Sequence, residues 1–252
     1  ILLFLGHWIR RTVEESPVFE EIKERKSASK TPIVDLFKHH TALVLTAALV
    51  FAGNSAIGYM TTGGFIQNYT TNPDGPLALA RTPILLSVTL SAVVWLIFTW
   101  ISGGLSDKIG RRNTYLLGWG IQLVGVIALF PLVNMGTIFS VTMGLCLLSV
   151  GIGMTYGAQS AFYSELYPAS IRFSGVSISY ALGAIFGGAF SPLIASWIVS
   201  QTGGTTYVAV YLATMTLIGF FATLALRDRT GIPLGPDHEA EQLKSPLRWH
   251  KE

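Results

Sequence analysis

The sequence predicts an all-α integral membrane protein with six transmembrane helices, and two observations on its charges carry that prediction. Only 12% of the 252 residues are Asp, Glu, Lys or Arg, against about 25% in an ordinary soluble domain. These charges are clustered, and four long runs contain none of them: residues 41–73, 82–106, 113–164 and 173–226. A helix needs about 20 mainly apolar residues to cross the hydrocarbon core, so the first two runs hold one span each and the last two hold two each.

Turn-forming residues divide the two long runs where a pair of helices has to reverse. Pro131 to Gly136 breaks the third run and Ser200 to Thr206 breaks the fourth. The predicted spans are residues 41–66, 82–103, 114–133, 137–163, 175–199 and 207–226, which together form a six-helix bundle over residues 41–226. Residues 1–9 are apolar but too short to cross a bilayer, and we interpret them as the end of a truncated transmembrane helix. Residues 10–40 are a linker and residues 227–252 a tail.

The basic residues predict the orientation. Sixteen of the seventeen Lys and Arg lie before span one, between spans two and three, between spans four and five, or in the tail, and only Arg81 lies on the other side. The positive-inside rule therefore places both ends of the chain, with the linker and the tail, on the cytoplasmic side of the cell membrane. Acidic residues are interleaved with the basic ones in Glu20 to Lys26, so no nucleic-acid partner is predicted.

The linker carries two helix-start signals, Ser16-Pro17 and Thr31-Pro32. After the first, Val18 and Ile22 share one face and Glu21 and Arg25 can pair on another, which predicts an amphipathic helix. A flexible linker is the alternative. Adjacent His39 and His40 would point about 100° apart on a helix, which favours a place at the interface over a metal site.

The segment between spans two and three carries the most specific motif. Residues 103–112 read G-x-L-S-D-K-x-G-R-R. A basic loop that only satisfied the positive-inside rule would not require Asp107 or glycines at these offsets. The motif resembles the signature loop of the major facilitator superfamily, which follows the second span of each six-span half.

Three further segments resemble one branch of that superfamily. Glu165 and Arg172 match the E-x(6)-R loop of sugar porters and their relatives. Tyr180 to Ala195 and Val13 to Phe19 resemble the metabolite:proton symporter family, whose members carry proline and betaine, shikimate, 2-oxoglutarate and citrate. The resemblance covers almost the whole chain, as the C-terminal half of a twelve-helix carrier. It implies that the N-terminal six-helix half is this chain's partner.

The resemblance implies a secondary transporter that moves a small organic anion or zwitterionic metabolite by alternating access with proton symport, in contact with membrane lipid and without a cofactor. A regulatory or scaffolding membrane protein of the same fold is one alternative. A membrane-embedded enzyme is another, but it would need a cluster of His, Asp or Glu. The six predicted spans contain no Asp, Glu, Lys, Arg or His, so proton-carrying residues are expected in the other half.

Two sets of residues are candidates for function. The first is a cytoplasmic ion-pair network that gates alternating access, in which Asp107 is favoured near a helix N-terminus and an arginine bonds Glu165 in a bidentate fashion. Its members are Asp107, Lys108, Arg111, Arg112, Glu165 and Arg172. The second set follows from the superfamily, in which the first, second, fourth and fifth spans of this half line the cavity. Its members are Asn54, Tyr59, Trp95, Thr155, Tyr156, Gln159, Ser179 and Tyr180.

Simpler roles compete with these assignments. Aromatic residues near span ends are expected in the interfacial belt: Trp8, Tyr69, Trp100, Trp119, Trp197 and Tyr207. A buried Asn or Gln often only bonds a neighbouring helix. The G-x-x-x-G pairs Gly153/Gly157 and Gly183/Gly187 predict close helix packing, with a hinging interface as the alternative, and Cys146 is expected to pack within span four.

Overall fold

The computed structural model describes residues 4–8, 32–61 and 64–249. Helices occupy all six predicted spans, and each is long and apolar enough to cross a membrane, which makes the chain a multi-pass membrane protein. The membrane-spanning helices are α2 (Thr41–Thr61) with α3 (Phe65–Thr71), α4 (Arg81–Ile109), α5 (Arg111–Asn134), α6 (Ile138–Leu166), α7 (Arg172–Gly183) with α8 (Ser191–Thr202), and α9 (Thr206–Ala225). Shorter helices flank them: α1 (Pro32–His39) and α10 (Glu239–Gln242).

Outside the spans, only part of the linker is described. Residues 4–8 are helical and exposed. Helix α1 begins at Pro32, where the Thr31-Pro32 signal predicts a start. The amphipathic helix expected after Ser16-Pro17 lies outside the described residues.

The signature segment is not the loop expected at residues 104–113. Helix α4 continues to Ile109 and α5 starts at Arg111, so that Gly110 alone joins two long helices. Gly110 has a φ of 94°, which glycine adopts without a steric penalty. A Cβ there would also collide with the carboxylate of Asp228 from the tail. Gly110 therefore both makes the break between the helices and leaves room for the tail.

Span five is interrupted in its middle. A π-helical segment, Ala184–Ala189, separates α7 from α8, and Pro192 stands in the first turn of α8, where a missing N–H is tolerated. The glycines of this span pack as closely as predicted. A Cβ on Gly187 would overlap the backbone of Ala52 in α2. In the same way Gly157 of α6 lies against the backbone of Thr99 in α4.

The six spans pack in a chain of neighbours, with α6 between α4 and α5, α9 between α5 and α2, and α7 against α2. Two apolar clusters fill the interior. One lies at the end of the bundle that carries Arg111, Arg172 and the tail, which we call the basic end, and contains Tyr115, Trp119 and Phe162. The other lies towards the opposite end and contains Ile57, Val126 and Ile152.

Trp119 is a correction to the sequence analysis, which places it in the interfacial belt. It is fully buried, and its Nε1 donates to Thr223 Oγ1 at 3.0 Å. Gly53 of α2 and Gly219 of α9 leave the space that the indole occupies, because a Cβ on either would collide with the ring. Cys146, expected to pack within span four, is partly buried.

Candidate functional site

A polar layer separates the two apolar clusters near the middle of the bundle. On each of four helices a nearly inaccessible polar residue stands between the residues of one cluster and those of the other. These residues are Asn54, Gln122, Thr155 and Thr216, and none is more than 2% exposed. Burying polar groups at membrane depth is unfavourable unless they find partners, so this layer is the first place to look for a site.

Four of the predicted cavity residues form one hydrogen-bonded chain across the layer. Thr155 Oγ1 donates to Asn54 Oδ1 at 2.8 Å, and Asn54 Nδ2 donates to Gln159 Oε1 at 3.4 Å. Gln159 Nε2 in turn donates to the hydroxyl of Tyr180. The chain joins α2, α6 and α7, three of the helices that the resemblance assigns to the cavity. Asn54 and Gln159 therefore hold one another, and both their amides are oriented.

Three further predicted residues lie beside this chain on the open side of the bundle. Tyr156 stands on Trp95 edge to face, with ring centroids 5.3 Å apart. Tyr156 is 40% exposed and Tyr59 is 49% exposed, so both rings are accessible in the described bundle. These aromatic side chains and the polar chain behind them form a half-open surface that a small molecule could contact.

Ser179 is placed differently from the other predicted cavity residues. It is fully buried, and its hydroxyl is 2.6 Å from that of Tyr167. This contact joins the second half of α7 to the residue that follows α6, which is the helix-to-helix role that the sequence analysis allows for buried polar side chains.

The sequence analysis missed two neighbours of the chain. Phe51 stacks on Tyr180 with ring centroids 4.2 Å apart. Tyr163 meets Tyr180 edge to face at 5.1 Å and donates its hydroxyl to Ala47 O at 2.6 Å. Phe51 lies three residues before Asn54, and that spacing on one helix face is the signal that could have identified it.

Gln122 was also missed, because span three is not among the spans that the resemblance assigns to the cavity. It is fully buried, and neither Nε2 nor Oε1 has a hydrogen-bond partner among the described residues. Its backbone lies against Gly151, where a Cβ would collide with Gln122 Cα. Gln122 thus stands at a close contact between α5 and α6.

The basic end holds the second candidate set, and the structure brings three of its six members together. Arg111 Nε donates to Glu165 Oε1 at 3.3 Å, and Nη1 pairs with the carboxylate of Asp107. Nη1 also donates to Ser106 Oγ at 2.7 Å. The bond to Glu165 is single and not bidentate, because Glu165 Oε2 has no hydrogen-bond partner in the described part of the chain. Asp107 lies in the last turn of α4, not at a helix N-terminus.

The other three members have different surroundings. Arg112 Nη2 donates to Leu224 O at 3.1 Å, at the end of α9. Arg172 donates to Ser164 O at 2.9 Å and to Leu234 O at 3.0 Å. Lys108 is exposed. Arg112 and Arg172 therefore stabilise the ends of the helices by hydrogen bonds to backbone carbonyls.

A family model described as the Major Facilitator Superfamily matches residues 1–185 of the chain. The chain belongs to the major facilitator superfamily. Curated members of this superfamily resemble it along most of its length. The inner membrane metabolite transport protein YhjE of Escherichia coli is 28% identical over 234 residues, which cover 91% of this chain and 53% of that protein.

Two other relatives have more specific names. The shikimate transporter of Escherichia coli is 29% identical over 237 residues, covering 90% of this chain and 52% of the transporter. The ectoine/proline transporter ProP of Corynebacterium glutamicum is 23% identical over 240 residues, covering 90% of this chain and 46% of that protein. The chain thus spans about half the length of the superfamily relatives it matches.

The tail contributes to the basic end of this superfamily bundle, which the sequence did not indicate. Gln242 is 2% exposed, and its Oε1 accepts from Ala169 N at 2.8 Å and from Arg172 Nη2 at 3.1 Å. Its Nε2 donates to Pro233 O at 2.7 Å and to Gly235 O at 2.8 Å. All the hydrogen-bonding groups of this amide are engaged, and the tail is fixed to the segment between α6 and α7.

Thr230 makes a similar connection to the signature segment. Its Oγ1 accepts from the backbone N–H of Arg111 at 2.7 Å and donates to Asp228 Oδ1 at 2.5 Å. Arg229 donates to Leu166 O at 3.4 Å and to Gln242 O at 3.0 Å. Both motifs that carry the superfamily resemblance are therefore held by the same tail.

Proposed function

We propose that this chain is the C-terminal half of a secondary transporter that moves a small organic anion or zwitterion by alternating access with proton symport. The observation that carries the proposal is the hydrogen-bonded chain Thr155–Asn54–Gln159–Tyr180 at mid-bundle depth, with aromatic rings exposed beside it. Carrier sites of this kind lie near the bilayer midplane between the two halves. The names of the relatives, a shikimate transporter and an ectoine/proline transporter, support small polar metabolites as substrates.

The side chains of this surface support recognition of the substrate by uncharged groups of this half. An amide and a phenol can donate to a carboxylate, while Tyr59, Trp95 and Tyr156 offer ring faces. Such faces attract a substituted ammonium group with about 0.5 to 2 kcal/mol. A zwitterion would therefore find both kinds of contact on this half. The six predicted spans contain no Asp, Glu, Lys, Arg or His, so the proton-carrying residues belong to the other half in this proposal.

The cluster at the basic end supports a gating role. Arg111 links Asp107 at the end of α4 to Glu165 at the end of α6. In this proposal the positive-inside rule places these residues in the cytoplasm, where the pairs hold the helix ends together while the carrier faces outward. Arg112, Arg172 and Lys108 support the same end from the periphery.

Uptake of labelled metabolites by the complete protein in sealed vesicles tests the proposal. We expect accumulation of a shikimate-like or proline-like compound that rises when the proton gradient is inward and stops when it is collapsed. Uptake that is insensitive to the gradient would refute proton symport, while the proposal that the protein is a transporter would stand. No uptake of any compound, together with intact folding, would favour the regulatory or scaffolding alternative.

A further inference from the structure

An apolar groove runs between α2 and α9 at the basic end of the bundle. Its volume is about 390 Å³. Leu49 of α2 forms one wall, Leu217, Ile218 and Phe221 of α9 form the other, and Trp249 of the tail completes the lining. Trp249 and Phe221 are 55% and 61% exposed, so the groove opens away from the bundle.

The groove has the length of one membrane leaflet. Along α9 it extends from Thr214 to Ala225, which is about 16 Å at 1.5 Å per residue. The hydrocarbon core is about 30 Å thick, so half of it is about 15 Å. An occupant that enters at the end of α9 and follows the groove would therefore reach the middle of the bilayer.

Two arginines lie at the mouth of the groove. Arg248 precedes Trp249, and its backbone N–H donates to Ala225 O at 3.0 Å, so the groove ends beside it. Arg112 reaches the same turn of α9 through Leu224 O. Its side chain is 8% exposed, and its Nε has no hydrogen-bond partner among the described residues. The like charges of Arg112 and Arg248 repel each other, and Asp228 is a carboxylate that attracts Arg112.

We propose that the groove binds one anionic phospholipid, with an acyl chain along α9 and the phosphate beside Arg248 and Arg112. A phosphate would relieve the repulsion between the two guanidinium groups and would accept bonds from the exposed side chain of Arg248. Basic side chains at this depth attract anionic headgroups, and Trp249 is an aromatic ring at the level where headgroup and chain meet. This site is separate from the substrate surface and does not depend on the proposed transport function.

Native mass spectrometry of the complete protein tests the site. The detergent-solubilised protein is titrated with dioleoylphosphatidylglycerol and, separately, with dioleoylphosphatidylcholine, and the retained lipid is counted. We expect one phosphatidylglycerol to be retained in preference to phosphatidylcholine. Arg248→Gln should lower its retention about fivefold, since one basic residue near the headgroup contributes about that factor. Leu217→Trp, which fills the groove, should abolish the preference.

Two matched controls separate the site from general effects. Lys244→Gln removes another cation of the tail, one that lines a different surface. Leu117→Trp enlarges a leucine of α5 that is 46% exposed. Both variants should retain phosphatidylglycerol like the parent protein. If Leu217→Trp fails to fold, Arg248→Gln still decides the question, because its side chain is exposed.

Several results would overturn the proposal. Equal retention of the two lipids would refute recognition of the anionic headgroup. Equal behaviour of Leu217→Trp and Leu117→Trp would refute binding in the groove. If Arg248→Gln left phosphatidylglycerol retention unchanged, the proposed role of the two arginines would be refuted. A dimer that forms through the groove and excludes lipid would assign the surface to a second copy of the chain.

Discussion

Arg111 Nε lies 3.3 Å from Oε1 of Glu165, and the same guanidinium pairs with Asp107 and with Ser106 Oγ. One side chain at the first position of α5 therefore connects the ends of α4 and α6. The planar guanidinium can serve several acceptors at once, which a lysine at this position could not do with the same geometry.

Neutral variants of the two carboxylates test the proposed gate. We expect Asp107→Asn and Glu165→Gln each to shift the carrier about tenfold towards the inward-open state. A hydrogen bond to a charged group contributes about 1.5 to 3 kcal/mol, and part of this is lost to solvent. The measurement is the labelling rate of a cysteine introduced on either side of the cavity, in a background that lacks Cys146. Lys38→Gln, a neutralised exposed residue, is the control, and unchanged labelling and transport in both carboxylate variants would refute the gate.

Gln242→Ala tests whether the tail is fixed by its amide. The variant leaves the N–H of Ala169 and the carbonyls of Pro233 and Gly235 without this partner. These bonds are partly buried, and an intramolecular hydrogen bond contributes about 0.5 to 1.5 kcal/mol. We expect cleavage of the tail by a protease to become at least about tenfold faster, while the bundle keeps its melting temperature. Glu241→Ala is the matched control, because this neighbour's side chain is exposed. Equal cleavage of the two variants would show that Gln242 does not hold the tail.

Two buried glutamines at mid-bundle depth provide a matched comparison of the substrate surface. Gln159 bonds Asn54 and Tyr180, whereas the amide of Gln122 has no hydrogen-bond partner among the described residues. Gln159→Leu should weaken substrate binding about tenfold, the effect of losing one or two hydrogen bonds. Gln122→Leu should leave binding unchanged and raise stability by about 1 kcal/mol, because an unpaired buried amide is unfavourable. Substrate affinity and thermal unfolding of the complete protein measure both effects, and the reverse pattern would contradict the assignment.

Gly157→Ala tests the close approach of α6 to α4. A Cβ at Gly157 would overlap Thr99 O, and overpacking of this kind costs about 1 to 3 kcal/mol. Gly104→Ala is the control in α4, because a Cβ there meets nothing within 4 Å. That change should be neutral or should stabilise the helix by up to about 1 kcal/mol. Thermal unfolding distinguishes them, and equal melting temperatures would mean that the two helices can separate without loss.

His40 gives the stability of the bundle a dependence on pH. Burial, and next the neighbouring charge of His39, lower the pKa of His40 from its ordinary value of 6.5. The folded chain therefore binds this proton less readily than the unfolded chain does. The contribution of His40 to stability is fully present above pH 6.5. It falls as the pH drops from there to the lowered pKa. We expect His40→Gln to flatten the dependence of the melting temperature on pH between about pH 7 and pH 5.

The number and positions of the six spans could be predicted because they follow from the distribution of charge along the chain. Gly110 shows the limit of that approach. Charged residues mark where the chain leaves the membrane, but the helices continue through them until a backbone position that only glycine tolerates. The residues that pack against the break, Asp228 and Thr230 of the tail, come more than 100 residues later in the sequence.

The candidate site could be predicted in part for a related reason. Residue type and depth identified Asn54, Gln159 and Tyr180, because polar groups at membrane depth are rare. The partner of each group depends on how the helices are rotated, and the sequence does not give that rotation. Ser179 bonds Tyr167 for this reason, and Trp119 is enclosed by Gly53 and Gly219 instead of facing the interface.

The single-residue connection at Gly110 also has a mechanical consequence. Helix α4 contains 29 residues, so its axis is about 43 Å long, and α6 is inserted between it and α5. A rotation of about 5° about Gly110 would swing the far end of such a rod by about 4 Å. A pivot at this joint would therefore turn a small rotation at one end of α4 into a displacement of several ångströms at the other end.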